Sequence, residues 1–166
     1  MATIPLMRAV VANTESGSEP LVINYPEAAS QTFKKGALVY LSGGYVTACA
    51  TDGAVIAGMA ADDAHNASSA GLYNIGVVVF SENVILEMNK VTTAGAVSAT
   101  AVTDVGKTFG LYVDSTTGYC HASASSASPR FICIGLSRSD NVGDSGGRLL
   151  LRVIGTYRQF ASTSGG

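Results

Sequence analysis

The run Gly143-Asp144-Ser145-Gly146-Gly147 holds the residue types that nucleophilic catalysis needs. A serine hydroxyl is a weak nucleophile until a base takes its proton. Glycines allow the tight turn that lifts such a serine clear of the backbone. Adjacent amide N–H groups can then hold the oxyanion formed on attack. A base and an acid to orient it must come from elsewhere in the chain. In chain order the sequence offers His65, Asp104 and Ser145. That reading makes Ser145 the nucleophile, His65 the base and Asp104 the orienting carboxylate. The plainer reading is a polar connection before a strand, in a chain with 19 glycines.

Other chemistry-bearing residues are sparse. Asp62, Asp63 and His65 could offer oxygen and imidazole to a metal, but no further ligands stand at a matching spacing. Cys49, Cys120 and Cys133 are odd in number and show no C-x-x-C pattern. Each lies in or beside an apolar run, which suits small buried thiols in a reducing compartment. His121 stands in the strand-like run Tyr119-Cys120-His121-Ala122. Arg148 and Arg152, at even spacing, share one face of a strand, with Arg158 further on. They make either a solvated face or a rim of charge-assisted contacts to an acidic partner. No glycine-rich phosphate loop joins a strand to a helix, so no nucleotide site is read. No catalytic residue is assigned, and no metal or other cofactor is implied.

Composition narrows the classes. The 166 residues are 47% hydrophobic and only 13% charged, with net charge −2. That is half the usual share of roughly 25% charged, and it excludes a charged disordered tail. Without a basic excess there is no electrostatic footprint for nucleic acid. The start Met-Ala-Thr-Ile-Pro-Leu-Met-Arg lacks the charged and apolar regions of a secretory leader. Apolar runs such as Gly76-Val77-Val78-Val79-Phe80 fall far short of the ~20 residues of a membrane helix. A soluble protein made in a cytoplasm is expected.

The elements that would position these residues are strands. Residues 1–30 are interrupted by Pro5, Pro20 and Pro26, with a loop signal at 13–18, and read as an extended N-terminal arm. From Phe33 onward, β-branched and aromatic runs alternate with turn residues. Ala37-Leu38-Val39-Tyr40-Leu41 and Tyr45-Val46-Thr47-Ala48 flank Ser42-Gly43-Gly44, a tight hairpin. A second hairpin is expected about Ser81-Glu82-Asn83, joining 76–80 to 84–88. A third is expected about 114–118. Further strands follow at 55–60, 131–136 and 148–154. A short helical turn is expected at 60–65, and a flexible loop at 123–129. No segment keeps a 3.6-residue apolar period over three turns. Two stretches share one plan: 35–59 and 107–136 each give a hairpin followed by a third strand containing glycine. Neither could bury its apolar face alone, so the two should pack together. The expectation is an all-β, single-domain β-sandwich or β-barrel over residues 31–166, with the arm at 1–30.

Two resemblances bear on function. Gly143-Asp144-Ser145-Gly146-Gly147 is similar to the nucleophile segment of trypsin-like serine proteases. The match stops there: His65 lacks that family's Ala-Ala-His-Cys context, the later Ser-Trp-Gly is missing, and the chain has no Trp. The second covers more of the chain. Gly36-Ala37-Leu38-Val39-Tyr40-Leu41, then Gly44-Tyr45-Val46, then Ile56-Ala57-Gly58-Met59-Ala60-Ala61-Asp62-Asp63-Ala64 resembles the head decoration (cement) proteins of tailed bacteriophages. It extends over about 33–80, and loosely over 107–136. This resemblance implies an all-β accessory protein of the virion, bound to the outside of an icosahedral capsid and bracing it. The implied partner is the phage's own major capsid protein, and the implied state is a homo-oligomer, a trimer at local three-fold sites. It implies no catalytic residue, nucleic acid or membrane. In this reading Ile4, Leu6, Leu21, Ile23 and Tyr25 anchor the arm on a neighbouring subunit by strand addition. The competing readings are a trypsin-like serine protease acting through Ser145 and another phage structural subunit, of minor capsid or tail.

Overall fold

The structure, a computed structural model, describes residues 1–14, 17, 19–124 and 127–160. The loop signals at 13–18 and 123–129 lie partly outside the described residues. Among these residues the chain forms eleven strands: β1 (Val10–Thr14), β2 (Val22–Pro26), β3 (Leu38–Ser42), β4 (Tyr45–Ala48), β5 (Gly58–Ala60), β6 (Asn74–Val79), β7 (Val84–Val91), β8 (Thr108–Val113), β9 (Cys120–Ser123), β10 (Phe131–Leu136) and β11 (Arg148–Val153). Two short 3-10 turns, Val102–Asp104 and Gly155–Tyr157, are the described helical pieces. No described helix is long and apolar enough to cross a membrane.

Six strands form one sheet in the order β1-β7-β11-β10-β8-β9. β9 returns to β7 in parallel, pairing Lys90 with Ala122 and Val91 with Ser123. Five strands thereby close into a barrel, and β1 is added outside on β7. The other five run in the order β2-β6-β5-β3-β4. The first and last of these meet where Glu27 and Val46 form a parallel bridge and Ala28 N donates to Val46 O at 3.0 Å. Numbered from its own first strand, each set of five follows the same order, 1-5-4-2-3. Each brings its first and third strands together in parallel. The likeness between 35–59 and 107–136 in sequence is therefore the middle of a likeness between β2–β6 and β7–β11.

Alternation explains the burial. In β11, Leu149, Leu151 and Val153 are buried while Arg148, Leu150 and Arg152 are half-buried, as successive side chains point to opposite faces. The larger core joins Leu86, Met88, Leu111, Phe131, Leu149 and Leu151 to Leu38, Ile56, Met59 and Phe80 of the other set. Each large side chain buried there contributes about 1.5–3 kcal/mol. That shared core makes the molecule one all-β domain. A smaller cluster of Phe33, Val39, Val46, Ile75 and Val77 fills the β2–β6 set. Gly58 lets β5 lie close to β6, since a Cβ there would collide with the Val78 carbonyl.

The turn at Gly43-Gly44 forms as expected, with φ of 56° and 90°. β8 and β9 also pair antiparallel across 114–118. The expected hairpin at 81–83 does not form. β6 pairs with β2 and β5, whereas β7 pairs with β1, β11 and β9. The segment is the crossing between the two sets. No helical turn forms at 60–65; after β5 the chain bends, and Asp63 accepts Lys35 N at 2.8 Å. Residues 1–30 are extended, but they are paired within the chain. β1 runs antiparallel to β7 with a bulge between Val11 and Asn13, and β2 runs antiparallel to β6. At the other end, Ile56 N donates to Tyr157 O (2.7 Å), and Gln159 N donates to Ile56 O (2.9 Å). The Gln159 amide both donates to Leu41 O and accepts from Leu41 N. The described N-terminal stretch is thus held by the β7–β11 set, and the described C-terminal stretch by the β2–β6 set.

Candidate functional site

Gly143–Gly147 is a loop wrapped in its own backbone bonds. Gly143 and Gly146 take φ of 92° and 72°, a conformation that glycine adopts without strain. Gly143 N donates to Thr100 O, Ser145 N to Ala2 O, Gly146 N to Ser98 O and Gly147 N to Asp144 O, all at 2.9–3.1 Å. An oxyanion hole needs such amides free and convergent, and here they are spent on structure. Ala2–Ile4 lies along the loop as a short strand, in parallel at Thr3 and Ser145. Ile4 N donates to Ser145 O at 2.7 Å. The buried Asn89 amide completes the seat, donating to Gly146 O (2.6 Å) and Pro5 O (3.3 Å) and accepting from Met7 N (2.9 Å). Asp144 is buried and accepts Ala2 N (2.7 Å) and Asn141 N (3.0 Å). Those two amides hold its carboxyl below the usual carboxylate range, Ala2 first.

His65, Asp104 and Ser145 are each committed elsewhere, and no contact unites them among the described residues. His65 Nδ1 lies 2.7 Å from Glu27 Oε2, and its backbone N donates to Glu27 Oε1. Its ring stacks on Tyr73 at 4.3 Å. Glu27 is wholly buried. Asp104 is buried, with Oδ2 accepting Lys90 Nζ and Ala101 N, both at 2.8 Å. Lys90 Nζ also donates to Ala99 O. The pair pins the 3-10 turn to β7. Sequence order offered the three residue types, but a triad is a matter of geometry.

The remaining candidates also have local partners. Asp62 accepts Gly76 N, while Asp63 pairs with Lys34 at 3.1 Å. Arg148 is ion-paired to Asp140 and Glu87, both at 2.8 Å, across the barrel surface. Cys49, Cys120 and Cys133 are free and buried. Burial pushes all three thiols up, Cys120 to about 11. His121 is buried, its Nδ1 without a hydrogen-bond partner, and burial drives its pKa down against the opposing pull of Asp114.

The five apolar residues expected to anchor the arm divide into two groups. Ile4 and Leu6 are half-buried in the strap over the Gly143–Gly147 loop; Leu6 also lines a cleft of about 500 Å³ with Glu87, Tyr119 and Arg148. Tyr25 is half-buried against the smaller cluster and stacks on Phe160 at 6.0 Å. Leu21 and Ile23 project from the open end of β2, 63% and 36% exposed, with Val22 between them at 52%. No described strand pairs with the outer edge of β2 over 22–24. Beyond its far end stand exposed Leu72 and Tyr73, with Glu27 N donating to Tyr73 O. Tyr45 is exposed beside Gly71. Sequence reasoning missed Leu72, Tyr73 and Tyr45. The signal was the apolar pair Leu72-Tyr73 inside an otherwise small and polar stretch, 65–74.

Compared with known proteins, the chain matches no family model and no curated sequence.

Proposed function

We propose that this chain is a structural virion protein that binds the outer surface of an icosahedral phage capsid and braces it. The observation that carries the reading is β2. Leu21 just before it and Val22 and Ile23 on it are consecutive exposed apolar residues, and no described strand pairs with the outer edge of β2 over 22–24. An open edge invites an added strand: main-chain bonds supply affinity and alternate side chains supply selectivity. Leu72, Tyr73 and Tyr45 are exposed as well, and Tyr73 O accepts Glu27 N just past the far end of β2. The resemblance of 33–80 to phage head decoration proteins points the same way and names the partner, the major capsid protein. Many copies on one shell make individually weak contacts effective. A ligand that binds only the assembled shell then shifts the equilibrium toward it. In this proposal the copies associate as trimers at local three-fold sites, a state that light scattering of the purified protein measures directly.

The test pairs capsids of the phage that encodes this chain with wild-type protein and with a Leu21→Asp/Ile23→Asp variant. Wild type is expected to saturate the shells and raise the temperature at which they open. The variant, whose changes lie at exposed positions, is expected to keep its circular dichroism and lose occupancy. Full occupancy by the variant removes β2 from the interface. Absence of wild-type binding overturns the decoration reading, and self-assembly of the purified chain into tubes or shells replaces it with that of a minor capsid or tail subunit.

A further inference from the structure

Two of the buried thiols come from different sets of strands and meet at one backbone residue. Cys49 follows β4, and Cys120 opens β9. Leu38 of β3 binds both. Its carbonyl accepts Cys49 N at 2.9 Å, and its N–H donates to Cys120 Sγ at 3.4 Å. In a regular antiparallel pair Leu38 N would return to the Cys49 carbonyl, with the two Cα atoms about 5.5 Å apart. The Cys120 sulfur takes the place of that acceptor and so stands beside Cys49. Both side chains belong to the core shared by the two sets. The Cys49 thiol donates to Val55 O at 3.7 Å, a weak bond that is given up at little cost. Both thiols also line a cleft of about 430 Å³, walled by Lys34 from one set and by Asp114 and Thr117 from the other. Cys133 bonds elsewhere, its Sγ donating to Gly135 O beside the bulge in β10.

We propose that Cys49 and Cys120 are an oxidisable pair whose disulfide staples the β2–β6 set to the β7–β11 set, formed by exchange with a small organic disulfide that enters the cleft between them. In the first step the Cys120 thiolate attacks one sulfur of the small disulfide and displaces the other as a thiolate. In the second, the Cys49 thiolate attacks the Cys120 sulfur and displaces the remaining small thiolate. Each departing thiolate takes up the proton that a cysteine has lost. Two protein thiols are oxidised to one S–S bond, and the small disulfide is reduced to two thiols. Thiolate is the nucleophile in both steps. Burial pushes both thiols up, Cys120 to about 11, and the neighbouring Cys120 adds to the push on Cys49. The exchange is therefore slow near neutrality and quickens as pH rises. The bridge closes a loop of roughly 70 residues, which restricts the unfolded chain strongly.

The experiment incubates the folded full chain with hydroxyethyl disulfide at mildly alkaline pH. Intact mass is expected to fall by two hydrogens, peptide mapping to join Cys49 to Cys120, and Cys133 alone to titrate in urea. The melting temperature is expected to rise by roughly 8–16 °C and to return on reduction. Cys49→Ala should form no bridge and show no rise, leaving Cys120 at most as its adduct with one small thiol. Should that variant fail to fold, Cys120→Ala makes the same comparison. A wild-type chain that stops at the adduct, keeps all three thiols, bridges through Cys133, or melts no higher once bridged overturns the proposal. None of these results bears on capsid binding, which rests on β2.

Discussion

Asp104→Ala should be among the most damaging single changes in this chain. The carboxylate accepts Lys90 Nζ and Ala101 N, both at 2.8 Å, and it is buried. Its removal leaves the Lys90 ammonium with Ala99 O as its described acceptor, 11% exposed and too enclosed for water to replace the lost charge. Removing one member of a buried pair costs about 3–5 kcal/mol. For a chain of this size, each kcal/mol lowers the melting temperature by ~2–4 °C, so the expected fall is roughly 6–20 °C. Lys90→Met in the same chain removes the stranded charge and should restore most of the loss, since an apolar replacement of both partners is often neutral. Urea unfolding of the four members of that cycle, read by circular dichroism, measures the coupling. The wild-type pair should also be insensitive to added salt, because enclosed charges are poorly screened. A cost below about 0.5 kcal/mol for Asp104→Ala, the level of an ordinary surface change, would refute the reasoning. So would a double variant as unstable as the two losses added.

Three further outcomes follow from the same geometry. Gly146→Ala places a Cβ 2.6 Å from Ile4 O at a φ of 72° and should release the strap at a cost of about 1–3 kcal/mol, seen as faster amide exchange at Ile4 and Ser145. Deleting residues 1–30 strips β1 from β7 and β2 from β6 and removes buried Glu27; the expected product is insoluble or unfolded rather than a free-standing body, as solubility and circular dichroism would report. The Arg148 guanidinium bonded to Asp140 holds that carboxyl below its usual range. A depressed folded value means stability present above the unfolded value of about 3.9 and lost as pH falls through the lower folded one. Asp140→Asn should therefore flatten the acid limb of a stability–pH curve, leaving the neutral region to show only the lost ion pair.

Much of the secondary structure could be read from local chemistry. Gly43-Gly44 between two β-branched runs can hardly be other than a tight turn, and β3 and β4 pair across it. The glycine-bearing third strand in 35–59 and in 107–136 hinted at the shared 1-5-4-2-3 order. What local chemistry does not carry is the choice of partner. Ser81-Glu82-Asn83 has the residues of a hairpin turn, yet Val84 is drawn to Thr14 and Val78 to Met59 and Val22. Those pairings are decided by which apolar faces remain to be covered once the whole chain is present. The same holds for the arm. Prolines and scattered apolar residues say that 1–30 is extended, but not that β7 and β6 stand ready to take it up. Ser145, His65 and Asp104 make the point for the site. Residue type and order were visible, whereas the three separate partnerships, with Ala2, Glu27 and Lys90, arise from distances that only the fold sets.

The exchange of ends between the two sets has a consequence for biosynthesis. A ribosome delivers β2–β6 well before Tyr157 and Gln159, the residues that close over Ile56 and Leu41. Until the last stretch emerges, the first half lacks its seal and shows Leu38, Ile56, Met59 and Phe80 to solvent rather than to the barrel core. Nascent chains with such surface bared are prone to aggregate. The opening half, though it has the cluster about Val39 and Ile75 within it, gains its larger core only when the second half is made.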